Sequence, residues 1–319
     1  MFFTLKSKIN SAVNIITILG PTASGKTTLA CYLASKIQGE IISADSRQVY
    51  RDMDIGTGKD LHEYQLDGVP IPYHLIDIKE PGYKYNIAEF QENFVSAFHA
   101  IRERNRTPIL CGGSGLYIET ALRGNSYLGI PSNDEIWSTH NPLSDDDLEK
   151  VYEQIPDHIR INLNALTRQR KIRAIEIAAF LAENPNWKPF ALPKIQPLIV
   201  GVDIDRDLRR EKITRRLSER MNNGLIEEVQ QLLVTKLCHD DLAYYGLEYK
   251  WVGKYLKGEI RKKELFEQLN IAIHQFAKRQ MTWFRRMEKN GYVIHWVNAE
   301  DSLDTKACLL YTSPSPRDA

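Results

Sequence analysis

The run Gly20-Pro21-Thr22-Ala23-Ser24-Gly25-Lys26-Thr27 constrains the fold more than any other part of the chain. It fits the pattern G-x-x-x-x-G-K-[ST], and its flanks supply the context that pattern requires. Before it, "VNIITIL" is a short β-branched run; after it, "KTTLACYLASKI" carries apolar residues at helical spacing. The prediction is strand, glycine turn, helix. In such a turn the backbone N–H groups face inward and the helix N-terminus adds partial positive charge, so all eight residues are candidates to cradle a diphosphate. Lys26 suits an outer phosphate, and the Thr27 hydroxyl suits Mg²⁺ as the one expected cofactor. An ordinary glycine turn is the competing reading, and the strand–helix context argues against it.

A polyphosphate cradle does not name a reaction. A small-molecule kinase, a nucleotide-driven switch and a transferase with a leaving diphosphate all remain open. A guanine-reading switch would usually carry N-K-x-D, which is absent, and a kinase would need an acceptor base and an arginine lid.

The rest of the chain repeats the alternation. "GEIISADS" reads as a second strand, "TPILCGGSGLYI" as a third ending in another glycine turn, and "NIAEFQENFVSAFHAIRER" between them as an amphipathic helix. Strands alternating with helices imply a parallel sheet with crossovers. "QPLIVGVDIDR" supplies one more buried strand, followed by two long helices, "EKITRRLSERMNNGLIEEVQQLL" and "KELFEQLNIAIHQFAKRQMTWFRRM". The fold class expected is α/β, a P-loop NTPase-like parallel sheet flanked by helices, with an inserted helical subdomain. The core is expected over 12–124, the insert over 125–193, the return to the core with basic helices over 194–300, and a Ser/Pro-rich tail outside the fold, disordered or non-native, over 301–319.

Composition narrows the setting. Nothing approaches the roughly eighteen apolar residues of a membrane span, and the N-terminal stretch lacks a sustained apolar region, so a cytoplasmic protein without membrane attachment is expected. Cys31, Cys111, Cys238 and Cys308 form no C-x-x-C pair, which argues against structural zinc and a disulfide framework. The net charge of +1 hides an imbalance: residues 131–160 hold eight Asp or Glu against two Lys or Arg, and residues 161–220 hold thirteen basic against seven acidic. Concentrated positive charge is what an anionic partner feels.

"GEIISADSRQVYRDMDIGTGK", "YHLIDI", "PILCGGSGLYI", "RQRKIRAIEI", "ERMNNGLIEEVQQLL" and "AKRQMTWFRR", in that order, resemble the tRNA dimethylallyltransferase family, in its bacterial form because no Cys/His zinc-finger extension is present. The resemblance covers the chain from about Ile16 to Arg286. It implies transfer of a dimethylallyl group from its diphosphate to N6 of an adenine beside the anticodon, with dimethylallyl diphosphate and a tRNA anticodon stem-loop as partners; a monomer is expected. The chain departs from the family in having Ser114 where threonine is usual, and "YYGLEYK" around Gly246 where "GYKE" is frequent.

Alkylating an exocyclic amine needs a proton acceptor, stabilisation of the departing diphosphate and exclusion of water. Asp45, at the end of the second predicted strand, is the candidate base, the alternative being a helix-capping aspartate. Ser114, in the later glycine turn, can bond the diphosphate or the base; a turn serine without ligand is the bland reading. The resemblance implies that Arg216 contacts pyrophosphate, with Arg215 able to take the role or a solvated basic face as alternatives. It also brings "RQRKIRAIEIA" to the anticodon loop, making Gln169, Arg170, Lys171, Ile172 and Arg173 RNA contacts, and it puts Asp45, Ser46, Arg47 and Gln48 on a flipped adenine. In the last long helix Phe266, Leu269, Ile273, Phe276, Gln280, Trp283 and Met287 share one face and predict a core stripe. Lys278, Arg279, Arg285 and Arg286 project away from it as phosphate contacts. A prenyltransferase acting on free adenine nucleotide, a metabolite kinase and a non-catalytic RNA-binding protein are the rivals.

Overall fold

The structure, a computed structural model, describes residues 13–124, 127–163, 167–188 and 190–312. The expected core start at 12, the first residues of the insert and the last seven residues lie outside them. The chain divides into two compact units, residues 125–191 and the remainder.

The larger unit is built on a six-stranded sheet in which every pairing is parallel. Its strands are β1 (Ile15–Leu19), β2 (Gly39–Ser43), β5 (Tyr73–His74), β6 (Thr107–Gly112), β7 (Pro197–Asp203) and β8 (Ile294–Asn298), in the order β5-β2-β6-β1-β7-β8. β3 (Gln65–Leu66) and β4 (Val69–Pro70) form a separate antiparallel pair. β1 is central, and all five of its residues are buried. Alternation sends Ile15 and Leu19 to one layer and Ile16 and Ile18 to the other, so both faces are covered, as a parallel sheet requires. α1 (Lys26–Ile37) packs Leu29, Leu33 and Ile37 on the second face. α2 (Ile87–Glu103) packs Phe90, Phe94 and Phe98 on the first, its start set by a capping box between Asn86 and Glu89. α3 (Gly115–Arg123) follows β6 directly.

The smaller unit has its own apolar cluster around Ile130, Ile155, Ile159, Ala174 and Ile177. It carries α4 (Asp134–His140), α5 (Asp145–Glu153), α6 (Asp157–Leu163) and α7 (Arg168–Glu183). After β7 come α8 (Arg206–Asn222), α9 (Leu225–Thr235), α10 (Leu247–Leu256) and α11 (Lys262–Lys289).

Four differences from expectation have physical reasons. The first of the two long helices is two, because Gly224 takes a left-handed φ of 102° between α8 and α9. β8 escaped notice because an edge strand of five residues carries little pattern of its own; it pairs with β7, where its Trp296 lies over Gly201. Phe276 leaves the stripe of α11 and is 38% exposed, since the buried line runs through Ala277, Gln280, Met281 and Phe284 instead. Ordered chain also continues past residue 301: α12 (Leu303–Thr312) buries Ala307 in the layer of α1, with Asp304 accepting from the Tyr32 hydroxyl. Among the described residues no helix is long and apolar enough to cross a membrane.

Candidate active site

β1 ends at Leu19 and α1 begins at Lys26, so the glycine turn lies at the carboxyl edge of the central strand, where open α/β sheets hold their ligands. Gly25 precedes α1 with φ 81°, a left-handed conformation that glycine takes without strain. Gly20, Pro21 and Ser24 are buried beneath the turn, Ala23 and Gly25 face one cavity, and Thr22 faces a second; Lys26 and Thr27 line both. Burial holds the Lys26 ammonium below its ordinary value of 10.5. The turn is secured from α11. The buried Gln280 accepts the N–H of Thr22 on Oε1 at 2.8 Å and donates from Nε2 to the Gly113 carbonyl at 3.0 Å, tying the turn after β1 to the turn after β6.

The second cavity, about 460 Å³, brings Lys26, Thr27, Asp45, Ser114 and Arg216 together. Asp45 follows β2 and accepts the Arg47 N–H at 2.8 Å, the one hydrogen bond of its side chain among the described residues. It is held as a turn aspartate with an oxygen to spare, and it caps no helix. Ser114 heads α3 without using its hydroxyl as a cap. Ser46 and Arg47 also line the cavity, with the Arg47 guanidinium 4.9 Å from the centre of the Tyr244 ring. Gln48 reaches the same wall, yet its amide is already committed: Oε1 accepts from Ser43 Oγ at 2.9 Å and Nε2 donates to the Gly58 carbonyl at 3.1 Å. Its evident work is to brace the loop over the cavity.

The first cavity, about 750 Å³, lies alongside and is lined by the turn, by residues 59–63 and by α8. Arg216 borders both cavities and pairs with Asp60, whereas Arg215 is 63% exposed, faces the first cavity only and sits 3.9 Å from Glu219. Of the two arginines, Arg216 is therefore the one at the site. Burial, with Arg220 beside it, brings its guanidinium down to about 9. Sequence reasoning missed three contributors. Arg220 stands one helical turn beyond Arg216 and borders both cavities. Glu248, 17% exposed, lies beside it; partial removal from water pushes its carboxyl up, and the opposing pull of Arg220 is smaller. Glu228 in α9 accepts the N–H groups of Asp54, Ile55 and Gly56 at 2.8, 2.7 and 3.0 Å and the Tyr249 hydroxyl at 2.8 Å, which pins the loop ahead of Gly58. Lys59, buried between Asp54 and Asp77, anchors its far end.

The four basic residues of α11 expected to contact phosphate separate by face. Arg279 lines the active cavity with Phe276. Lys278 and Arg285 border a groove of about 770 Å³ that also holds Arg206, Arg209 and Arg210 of α8. Arg286 is engaged elsewhere, 3.1 Å from Glu119 and over the ring of Trp283, whose indole N–H donates to the same Glu119 at 2.7 Å. In the smaller unit, Gln169 and Arg170 are exposed, but Lys171 pairs with Glu149 and Arg173 binds Glu176 at 2.7 Å and the Pro131 carbonyl at 2.9 Å. Ile172 is wholly buried and cannot be an RNA contact; on a helix with one apolar side, its position falls inward while Arg170 faces water.

Residues 48–287 match the family model described as IPP transferase. The chain is 49% identical over 295 residues to tRNA dimethylallyltransferase 2 of Bacteroides fragilis, covering 92% of this chain and 95% of that one. It is 50% identical over 287 residues to tRNA dimethylallyltransferase 1 of Parabacteroides distasonis, covering 89% and 92%. The crystal structure of a tRNA isopentenylpyrophosphate transferase from Bacillus halodurans superposes with a TM-score of 0.68 at 30% identity, over 93% of this chain and 94% of that one. A eukaryotic dimethylallyltransferase acting on tRNA shares the fold, with a TM-score of 0.68 at 21% identity over 93% of this chain and 77% of its own. With the glycine turn, the carboxylate and the arginines converging on one cavity, and with relatives of this identity matching nearly end to end, the chain belongs to the IPP transferase family of enzymes.

Proposed function

We propose that this protein transfers a dimethylallyl group from dimethylallyl diphosphate to N6 of an adenine next to the anticodon of tRNA, releasing pyrophosphate. The observation that carries the reading is the single cavity shared by the phosphate-turn residues Lys26 and Thr27, the carboxylate of Asp45, the uncapped hydroxyl of Ser114 and the guanidinium of Arg216. The names of the relatives support the same donor class and acceptor.

In this reading the adenine amine attacks the allylic carbon, the carbon–oxygen bond to the diphosphate breaks, and the amine proton passes to Asp45 and then to solvent. The Arg47 N–H holds Asp45 in position while leaving acceptor capacity for that proton. Lys26 and Arg216 offset the charge that grows on the leaving diphosphate, and their burial strengthens the interaction by excluding water. Ser114 donates to the diphosphate or the base. Thr27 and Asp45 present hard oxygen donors to one cavity, and no cluster of three metal-ligating side chains exists among the described residues; this fits a Mg²⁺ that keeps its waters and is held largely by the diphosphate. When bound, the ion would neutralise phosphate charge. Of the contacts expected on the two basic helices, Gln169, Arg170, Lys278, Arg279 and Arg285 keep side chains open to RNA.

The test is an assay with purified protein, Mg²⁺, labelled dimethylallyl diphosphate and unmodified tRNA, run beside AMP and ATP as acceptors. Label in tRNA adenine is the expected result. Label confined to AMP or ATP would replace this reading with free-nucleotide prenylation.

A further inference from the structure

We propose that Arg220 is a second guanidinium for the leaving diphosphate, acting beside Arg216 at the throat between the two cavities. This rests on the reading of the cavity as a diphosphate site. Four residues border both cavities: Lys26, Thr27, Arg216 and Arg220. Two are the phosphate-directed side chains of the glycine turn, and the other two are neighbours one turn apart on α8. The throat is thus lined by a set of side chains in which Arg220 has the same standing as the phosphate-binding lysine.

Arg220 is also underused where it sits. Its side chain is 15% exposed, and its carboxylate neighbours are Asp60 Oδ2 at 3.7 Å and Glu248 Oε1 at 3.8 Å, both beyond hydrogen-bond reach. Its Nη2 is buried with no hydrogen-bond partner. A buried charged donor without an acceptor is costly unless a ligand supplies one. Asp60 and Glu248 hold the guanidinium by charge without occupying its donors, so Nη2 is left for an incoming anion. Gly58 shows how closely the two arginines approach. It has φ 64°, and a Cβ built there would overlap Nη2 of Arg220 and lie 3.0 Å from Nη2 of Arg216. Two planar forks converging on one backbone position match the several oxygens of a diphosphate better than one fork does.

The test is calorimetry of inorganic pyrophosphate, with Mg²⁺, on the full-length wild type and on Arg220→Gln, Arg220→Lys and Lys26→Ala, alongside RNA affinity. Arg220→Gln is expected to weaken pyrophosphate roughly ten- to a hundredfold. Arg220→Lys should recover part of that, and RNA affinity should not move. If Arg220→Gln does not fold, the double variant Arg220→Gln/Glu248→Gln, which leaves no unpaired carboxylate at Glu248, replaces it with the same expectation. Equal pyrophosphate affinity in wild type and folded variant overturns the role of Arg220 while leaving the diphosphate site standing, and parallel loss of pyrophosphate and RNA affinity makes the residue merely structural. A wild type that binds no pyrophosphate overturns the diphosphate reading, and this proposal with it.

Discussion

Asp45 and Lys26 face one cavity, and in the proposed reaction they carry opposite duties that substitution separates. Asp45→Asn keeps the turn to the Arg47 N–H and removes the proton acceptor, so kcat should fall roughly 10²–10⁴-fold, while pyrophosphate affinity measured by calorimetry stays near wild type. For Lys26 the sign follows from burial, which favours the neutral amine and lowers its pKa. Diphosphate favours the charged form, so donor affinity should be constant below the pKa of the free protein and fall as pH rises through it. That fall should begin below pH 10.5, the ordinary lysine value, with Arg216 at about 9 adding to it, and Lys26→Arg should make it shallower; KM for the donor against pH in both proteins checks this. Asp45 and Ser114 were legible as candidates because each sits in a local motif, whereas Arg216 came from the resemblance with Arg215 open beside it. Arg220 and Glu228 were not, because, although both lie in the quoted stretch ERMNNGLIEEVQQLL, their spacing does not separate them from an ordinary charged helix face.

At the scale of the element, α11 shows what periodicity can and cannot supply. The helix and its buried side were readable from spacing, but one hundred degrees per residue sends its basic side chains in several directions, and only their surroundings decide which remain open. Lys278 lies in the groove shared with α8, whereas Arg286 is spent on Glu119. Lys278→Ala should therefore reduce the salt slope of RNA binding by about 0.9, one phosphate's worth, and Arg286→Ala should leave it nearly unchanged; filter binding across a salt series distinguishes the two. The same logic applies to α7. Its composition announced a basic helix, yet Arg168, Lys171 and Arg173 find carboxylates within their own unit, at Asp145, Glu149 and Glu176, and Arg170 keeps its exposure.

For the whole molecule, the division into two units makes a deletion informative. Gly124 and Leu192 both belong to the larger unit and lie against each other, since a Cβ at Gly124 would overlap the Leu192 side chain. Replacing residues 125–191 with a short glycine linker should therefore leave a folded protein with a single cooperative melt and wild-type pyrophosphate affinity, and abolish transfer to tRNA. Loss of folding would show instead that the larger core depends on the smaller unit. By itself, the sequence determined the local pattern: a strand, a glycine turn and a helix in succession, an alternation that demands a parallel sheet, and candidate residues inside short motifs. These follow from neighbours along the chain, where spacing sets which side chains share a face. Tertiary structure alone decided the strand order, the addition of β8, and the buried amide of Gln280 bonded to Thr22 across 258 residues. It also decided which of two adjacent arginines reaches the cavity. Those outcomes depend on where crossovers return the chain, and burial there changes the charge, the partners and the accessibility of groups that look alike in sequence.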